Sequence, residues 1–230
     1  MCGRFALKAP AAELVQHFGL DECVDLTPRF NIPPGTEIAA IRQSPAGQRV
    51  LHRLKWGLVP NWAKDPSIGN KLNNARGETV SDTPSFREAF KRRRCLIPAD
   101  GFYEWSVQGK LKQPWYLSLK SGQPMAMAGL WEAWTSPSGD ILRTCCVITT
   151  GPNDVMQAIH DRMPVLIAEP DWARWLAGPV GMVTELIRPY VPRTSSDAMR
   201  AWPVDRRVSK TSEADAGLIL PIPREYSWLT

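Results

Sequence analysis

Cysteine stands second in this chain, in Met1-Cys2-Gly3-Arg4-Phe5, and that position carries its sharpest chemistry. Initiator methionine is normally trimmed ahead of a small residue, which would leave Cys2 as a 1,2-aminothiol with thiol and α-amine both free. An α-amine titrates near 7.7–8.0 and a free thiol near 8.5, so about a tenth of the amine is neutral and nucleophilic at pH 7. Such a group condenses with aldehydes. The amine forms a Schiff base, the thiol adds to it, and a five-membered thiazolidine closes with no metal or cofactor. The same residue could act instead as an N-terminal nucleophile on amides, with its own amine as base. The plainest alternative is an inert second-position cysteine.

Three further polar strings sit in apolar surroundings: NNARGET (73–79), ADGFYEW (99–105) and HDRMP (160–164). In GFYEWSV, strand alternation puts Phe102, Glu104 and Ser106 on one face, so Glu104 has an aromatic in its own row. A carboxyl in that setting has a raised pKa and suits acid/base work, solvent exposure being the competing expectation. His160 follows the apolar face Val155, Met156 and Ile159 and, as one of three histidines, is the best candidate for proton transfer near neutral pH; a capping or core histidine is the competing expectation. Arg4, Arg76 and Arg162 lie within the same strings, and guanidinium groups suit bidentate binding of phosphate or carboxylate. The run Lys91-Arg92-Arg93-Arg94 reads as a solvated helix end whose cations complement the dipole.

These groups need elements to position them. Pro10 can start a helix with Ala11, Leu14, Val15 and Phe18 on one face and Gly19 as its stop. From Thr36 to Gly57, two β-like runs flank Ser44-Pro45-Ala46-Gly47, the pattern of an antiparallel hairpin. GFYEWSV, PWYLSLK, PMAMAGLWEAW and ILRTCCVITT, separated by turn residues, read as a central meander. Short helices are expected at Ser85–Arg94, Asn153–Ile159 and Asp171–Leu176. Without βαβ alternation, repeats or a linker, the reading is one α+β domain over residues 1–230, mainly antiparallel sheet with short peripheral helices. The tail after Ser209 has no assigned place in it.

Composition narrows the class. The 230 residues carry net charge +5 and 43% hydrophobic residues, enough for a folded core and against disorder. No apolar run reaches the roughly 18 residues of a membrane span, and the N-terminus lacks an apolar signal region. A soluble cytoplasmic protein is expected, a monomer and not bound to membrane. Five cysteines without CxxC spacing argue against a disulfide framework and against a metal site; Cys145 and Cys146, in an apolar run, and also Cys23 and Cys95, are assigned to the core. A pI near 9.1 and ten tryptophans fit a nucleic-acid partner whose bases stack on aromatic faces, with most of the tryptophans left to the core.

MCGRF, FNIPPGT, WGLVPNW, NNARGET, CLIPADGFYEW and HDRMP occur here in the order of the SRAP (SOS-response-associated peptidase) family, also called abasic-site-processing proteins. The chain resembles that family from MCGRF to WPVDRRV (202–208). The resemblance implies a barrel-like sheet fold and covalent trapping of abasic sites in single-stranded DNA. Cys2, after loss of Met1, would link to the ring-opened sugar aldehyde through a thiazolidine and shield the strand from scission. Asn74 would hold the sugar. Glu104 would move protons in imine formation, in reversal and in release of the residue before Cys2, while His160 would assist ring opening. Arg4, Arg76 and Arg162 would contact DNA, and Pro34 and Trp62 would wedge against neighbouring bases. Where family members often carry a second tryptophan, this sequence has Ala63. No cofactor or metal is implied, and in a bacterium the protein would accompany the nucleoid. The rival readings are an N-terminal-nucleophile cysteine peptidase or amidohydrolase, and a non-catalytic single-strand-binding module.

Overall fold

The computed structural model describes residues 2–21, 23–109, 111–192 and 198–222. It is a single α+β domain of two sheets. The strands are β1 (Phe5–Leu7), β2 (Arg29–Ile32), β3 (Glu37–Gln43), β4 (Arg49–Trp56), β5 (Asn74–Arg76), β6 (Arg94–Ala99), β7 (Gly101–Gln108), β8 (Leu111–Leu119), β9 (Met125–Thr135), β10 (Ile141–Thr150), β11 (Met163–Pro164) and β12 (Met199–Pro203). The helices are α1 (Ala11–Phe18), α2 (Arg87–Arg92), α3 (Asp154–Gln157), α4 (Trp172–Ala177) and α5 (Val180–Thr184).

One sheet closes on itself. Its order β10-β4-β3-β6-β9 returns to β10 through the long antiparallel β9–β10 pair, giving a five-stranded barrel whose strands carry the buried Ile41, Leu54, Leu96, Leu130 and Ile148. Closure leaves no free edge around the ring. The second sheet, β12-β8-β7-β1-β2, is antiparallel throughout and lies against the barrel where Phe5 meets Trp56 edge-on, ring centroids 5.3 Å apart.

Helix α1 and the β3–β4 hairpin form as the sequence predicts, with Gly19 at φ 58° ending the helix in the left-handed region. The central meander does not. β7–β8 and β9–β10 are each hairpins, but the chain crosses between sheets after β8. The outer edge of β8 is taken by β12 and that of β9 by β6, pairings between segments far apart in sequence. The basic run departs from expectation as well. Arg93 pairs with Glu132 at 2.7 Å, and Arg94 is buried in β6, its guanidinium donating to the carbonyls of Phe90, Lys91, Trp175 and Gly178. Arg94 thus satisfies the carbonyl end of α2 from inside the protein.

The tail after Ser209 now has a place as far as residue 222. Val208 and Leu218 are fully buried, and the amide of Asn31 on β2 donates to the carbonyls of Lys210 and Glu213. Cys95, Cys145 and Cys146 are core residues as expected, and Cys23 is partly buried against the core.

One handover at the barrel positions the site. β10 pairs in parallel with the end of β4 (Thr144↔Lys55, Cys145↔Trp56) and then with β5 (Val147↔Asn74 to Thr149↔Arg76). Between them the chain leaves through Gly57 and returns by a 3₁₀ turn at Pro66–Lys71, started by the Asp65 carboxylate accepting from the Ser67 N–H at 2.8 Å. The excursion is possible because Gly57 and Gly69 touch backbone to backbone. Gly57 has φ 138°, and a Cβ there would sit 2.6 Å from the Gly69 carbonyl oxygen. Gly57→Ala is therefore expected to lower stability by about 1–3 kcal/mol or more, measured by denaturant unfolding, and to loosen the segment that carries Trp62.

Candidate functional site

Cys2 lies just before β1, whose pairing with β7 sets what it faces. Phe5 opposes Phe102, and the Tyr103 N–H donates to the Arg4 carbonyl at 2.9 Å, so extension of the same ladder sets Gly3 opposite Glu104, whose charge is felt by the adjoining Cys2 thiol. The Asn74 side-chain N–H donates to the Cys2 carbonyl at 2.9 Å, fastening the strip to β5. Cys2 is fully buried, and burial pushes its thiol well above the ordinary range, with the neighbouring Glu104 charge pushing the same way. The thiol is held neutral, so the first nucleophile of this site is not a thiolate.

Glu104 is 2% exposed, which overturns solvent exposure as its environment. Burial raises its carboxyl above the ordinary carboxylate range, and the His160 imidazole partly opposes the shift. His160 is held where α3 ends. Asn153 caps that helix, accepting from the Met156 N–H at 3.1 Å, Met156 is buried beneath it, and the His160 N–H donates to the Met156 carbonyl. The imidazole Nε2 stands 4.0 Å from a Glu104 carboxylate oxygen. Nδ1 accepts from the Arg162 N–H at 3.0 Å, which in the neutral ring assigns the proton to Nε2, facing Glu104. A charged ring would carry a second N–H on Nδ1, and the Asp161 carboxylate stands ready for it at 3.0 Å.

Cys2, Asn74, Glu104 and His160, drawn from four separate strings, are thus brought into one place. Asn74 also presents a buried Oδ1 that accepts no hydrogen bond among the described residues. Next to the thiol, a buried acid and an imidazole can pass protons, and a free amide oxygen can accept from a bound hydroxyl or amine.

The three arginines differ in placement. Arg76 is exposed on β5. Arg4 is turned inward, 9% exposed, with Nη1 donating to Asn31 Oδ1 at 2.6 Å and to the Val208 carbonyl at 2.7 Å. Arg162 forms a two-bond pair with Glu78, at 2.5 and 2.9 Å, and donates to the Thr149 carbonyl at 2.8 Å. Trp62 is 57% exposed, its ring N–H directed at the Pro84 carbonyl, and Pro34 is half-buried in the turn between β2 and β3. Ala63, by contrast, is buried against Val59 and Trp134.

Glu78 and Thr149 escaped the sequence reading. Glu78 was visible as a carboxylate inside NNARGET, but nothing local says which cation it meets; Thr149 lies in an apolar strand and offers no signal. Among the described residues, no group of three or more His, Cys, Asp or Glu could hold a metal ion. No helix among them is long and apolar enough to cross a membrane.

Comparison with known proteins gives a consistent family. A family model described as SOS response associated peptidase (SRAP) matches residues 1–211. Abasic site processing protein YoqW of Bacillus subtilis is 39% identical over 223 residues, covering 95% of this chain and 99% of that protein. Abasic site processing protein YedK of Escherichia coli is 29% identical over 233 residues, covering 96% and 100%. A crystal structure of a protein from Bacteroides thetaiotaomicron superposes with TM-score 0.85 at 23% identity, covering 96% of this chain and 100% of that one, and shares the fold.

The raised Glu104 carboxyl makes a stability prediction. Native burial favours its protonated form, so its contribution is fully present below the unfolded value near 4.3 and is lost as pH rises through the raised native value. Glu104→Gln is expected to raise the melting temperature at neutral pH and to flatten its pH dependence, both read by thermal denaturation across a pH series.

Proposed function

The chain belongs to the SRAP family, and from that premise we propose that it processes abasic sites in single-stranded DNA by forming a covalent thiazolidine through Cys2. The observation that carries the reading is the convergence of Cys2, Asn74, Glu104 and His160, with a buried, raised carboxyl beside a neutral thiol. Hydrolysis of the Met1–Cys2 peptide bond, aided by Glu104, would first free the α-amine.

The reaction then runs in balanced steps. Ring opening to the aldehyde moves the anomeric hydroxyl proton to the departing ring oxygen, and His160, with its Nε2–H facing the site, is placed to relay it. The amine adds to the carbonyl to give a carbinolamine, and the Glu104 carboxyl donates the proton with which the hydroxyl leaves as water and takes back the N–H proton, leaving the C=N bond. The thiol adds across the resulting C=N bond, sulfur to carbon and proton to nitrogen, closing the ring. A buried neutral thiol suits this order, because it is needed only after the imine exists. The Oδ1 of Asn74 accepts from the sugar hydroxyl. Reversal retraces the same steps with water as reactant.

Binding follows from the surface. Arg76, the exposed guanidinium of the three, contacts phosphate, while Arg4 and Arg162 support the site from beneath with bonds they already make. Trp62 and Pro34 cover the bases beside the lesion, where stacking is worth about 1–3 kcal/mol per base. A lesion without a base avoids the unstacking cost of flipping an intact nucleotide. Contacts to phosphate without base readout make affinity salt-dependent and nearly indifferent to sequence.

Incubation with an abasic oligonucleotide is expected to give a heat-resistant shifted band on a denaturing gel. Cys2→Ala should abolish that band and retain reversible binding; Cys2→Ser should leave an imine that borohydride traps but no stable adduct. No band from protein whose mass shows Met1 removed, or glutamine hydrolysis in its place, would overturn the reading. Glu104→Gln is expected to slow adduct formation roughly 10²–10⁴-fold. The wild-type rate should follow a bell in pH, rising as the amine deprotonates and falling as Glu104 ionises, and the variant should lose the alkaline fall.

A further inference from the structure

We propose that Glu78 is a positioning residue for this reaction: its paired hydrogen bonds to Arg162 tie the segment that carries Asn74 to the loop that carries His160, and so set the imidazole against Glu104. The inference rests on the reading of the site given above and concerns a residue outside its reacting set.

Arg162 works at two ends. Its backbone N–H donates to His160 Nδ1 at 3.0 Å and so orients the ring. Its guanidinium donates to Glu78 Oε1 at 2.5 Å and Oε2 at 2.9 Å, and to Thr149 at 2.8 Å on the carbonyl and 3.2 Å on the hydroxyl. The Thr149 carbonyl also accepts from the Gly77 N–H at 2.8 Å. Three segments therefore meet at one carbonyl and one guanidinium: the end of β5 with its following turn, β10, and the His160 loop. A planar fork received by both oxygens of a carboxylate fixes direction as well as distance.

The distance at stake is the 4.0 Å between His160 Nε2 and Glu104, slightly longer than a hydrogen bond. Proton transfer requires that gap to shorten and not to widen, so a loop free to swing by an ångström would lose it. Glu78 touches neither Cys2 nor Glu104 by any hydrogen bond of the described residues, and its carboxyl is held below the ordinary range by the Arg162 hydrogen bond, opposed in part by burial. It stays charged through neutral pH and moves no proton itself. Its side chain is half exposed, so truncation removes the tie and leaves the core intact.

Two variants test this, Glu78→Ala and Glu78→Gln, the second keeping one acceptor oxygen. For Glu78→Ala the maximal rate of adduct formation on an abasic oligonucleotide is expected to fall roughly 10–100-fold, with the half-saturating concentration little changed, and Glu78→Gln should fall between it and wild type. The titration of the His160 ring, followed by NMR without DNA and assigned with His160→Gln, should shift in midpoint in Glu78→Ala. An unchanged rate and an unchanged titration would overturn the proposal. So would a lower half-saturating concentration at unchanged maximal rate, which would make Glu78 only a charge that repels phosphate. A drop in rate matched by a fall in melting temperature, with the titration unmoved, would make it only a structural residue and overturn it equally. Wild-type protein that gives no adduct while the His160 titration still responds to Glu78→Ala would sink the reaction assigned to the site and leave the tie standing.

Discussion

A carboxyl group out of water on a central strand is costly in its ionised form, and the buried Glu104 side chain is the constraint around which this protein is arranged. Its strand, β7, lies between β8 and β1, and the side chain is all but withdrawn from the surface. Desolvation is met by raising the pKa and by setting a histidine at the edge of the pocket. The same burial that disfavours the ionised carboxylate keeps the proton on the acid to higher pH than a solvated glutamate would. Stability given up at a reactive group and recovered in the surrounding barrel is a common trade in proteins that do chemistry.

What surrounds Glu104 must then be held firmly, and arginines do much of that holding. Arg4 anchors the N-terminal strip to Asn31 and to the Val208 carbonyl. Arg94 gathers four backbone carbonyls, and Arg162 joins a carbonyl, a hydroxyl and a carboxylate. Each uses the guanidinium as a fixed fork of donors whose charge does not depend on pH. Asn31 extends the arrangement outward to the Lys210 and Glu213 carbonyls, so residues after Ser209 brace the strip that carries Cys2. A basic composition that suggests a nucleic-acid surface thus includes several cations that face inward.

The barrel supplies the rigid floor. Because β4 and β5 share one edge of β10 in succession, the Trp62 segment and the Asn74 strand emerge side by side from a closed sheet. Exposed Arg76 then stands on a paired strand, while exposed Trp62 lies in a turn of the excursion between β4 and β5.

Local features were legible without coordinates: helix α1 with its glycine stop, the hairpin around Ser44-Pro45-Ala46-Gly47, and the α+β character with antiparallel sheet. Side-chain period and turn chemistry are properties of neighbouring residues, and they write themselves into sequence. The chemical types at the site were legible too, since an early cysteine, a lone acid in an aromatic strand and one of three histidines are visible as letters. Tertiary structure alone decided that β8 and β9 part company, that the tail packs on β2, and that Arg4 and Arg94 point inward. It alone decided the partner of Glu78, and that the Cys2 thiol is buried and neutral. These depend on contacts between residues dozens of positions apart, where solvent exclusion and the satisfaction of every buried donor are settled jointly by the whole fold.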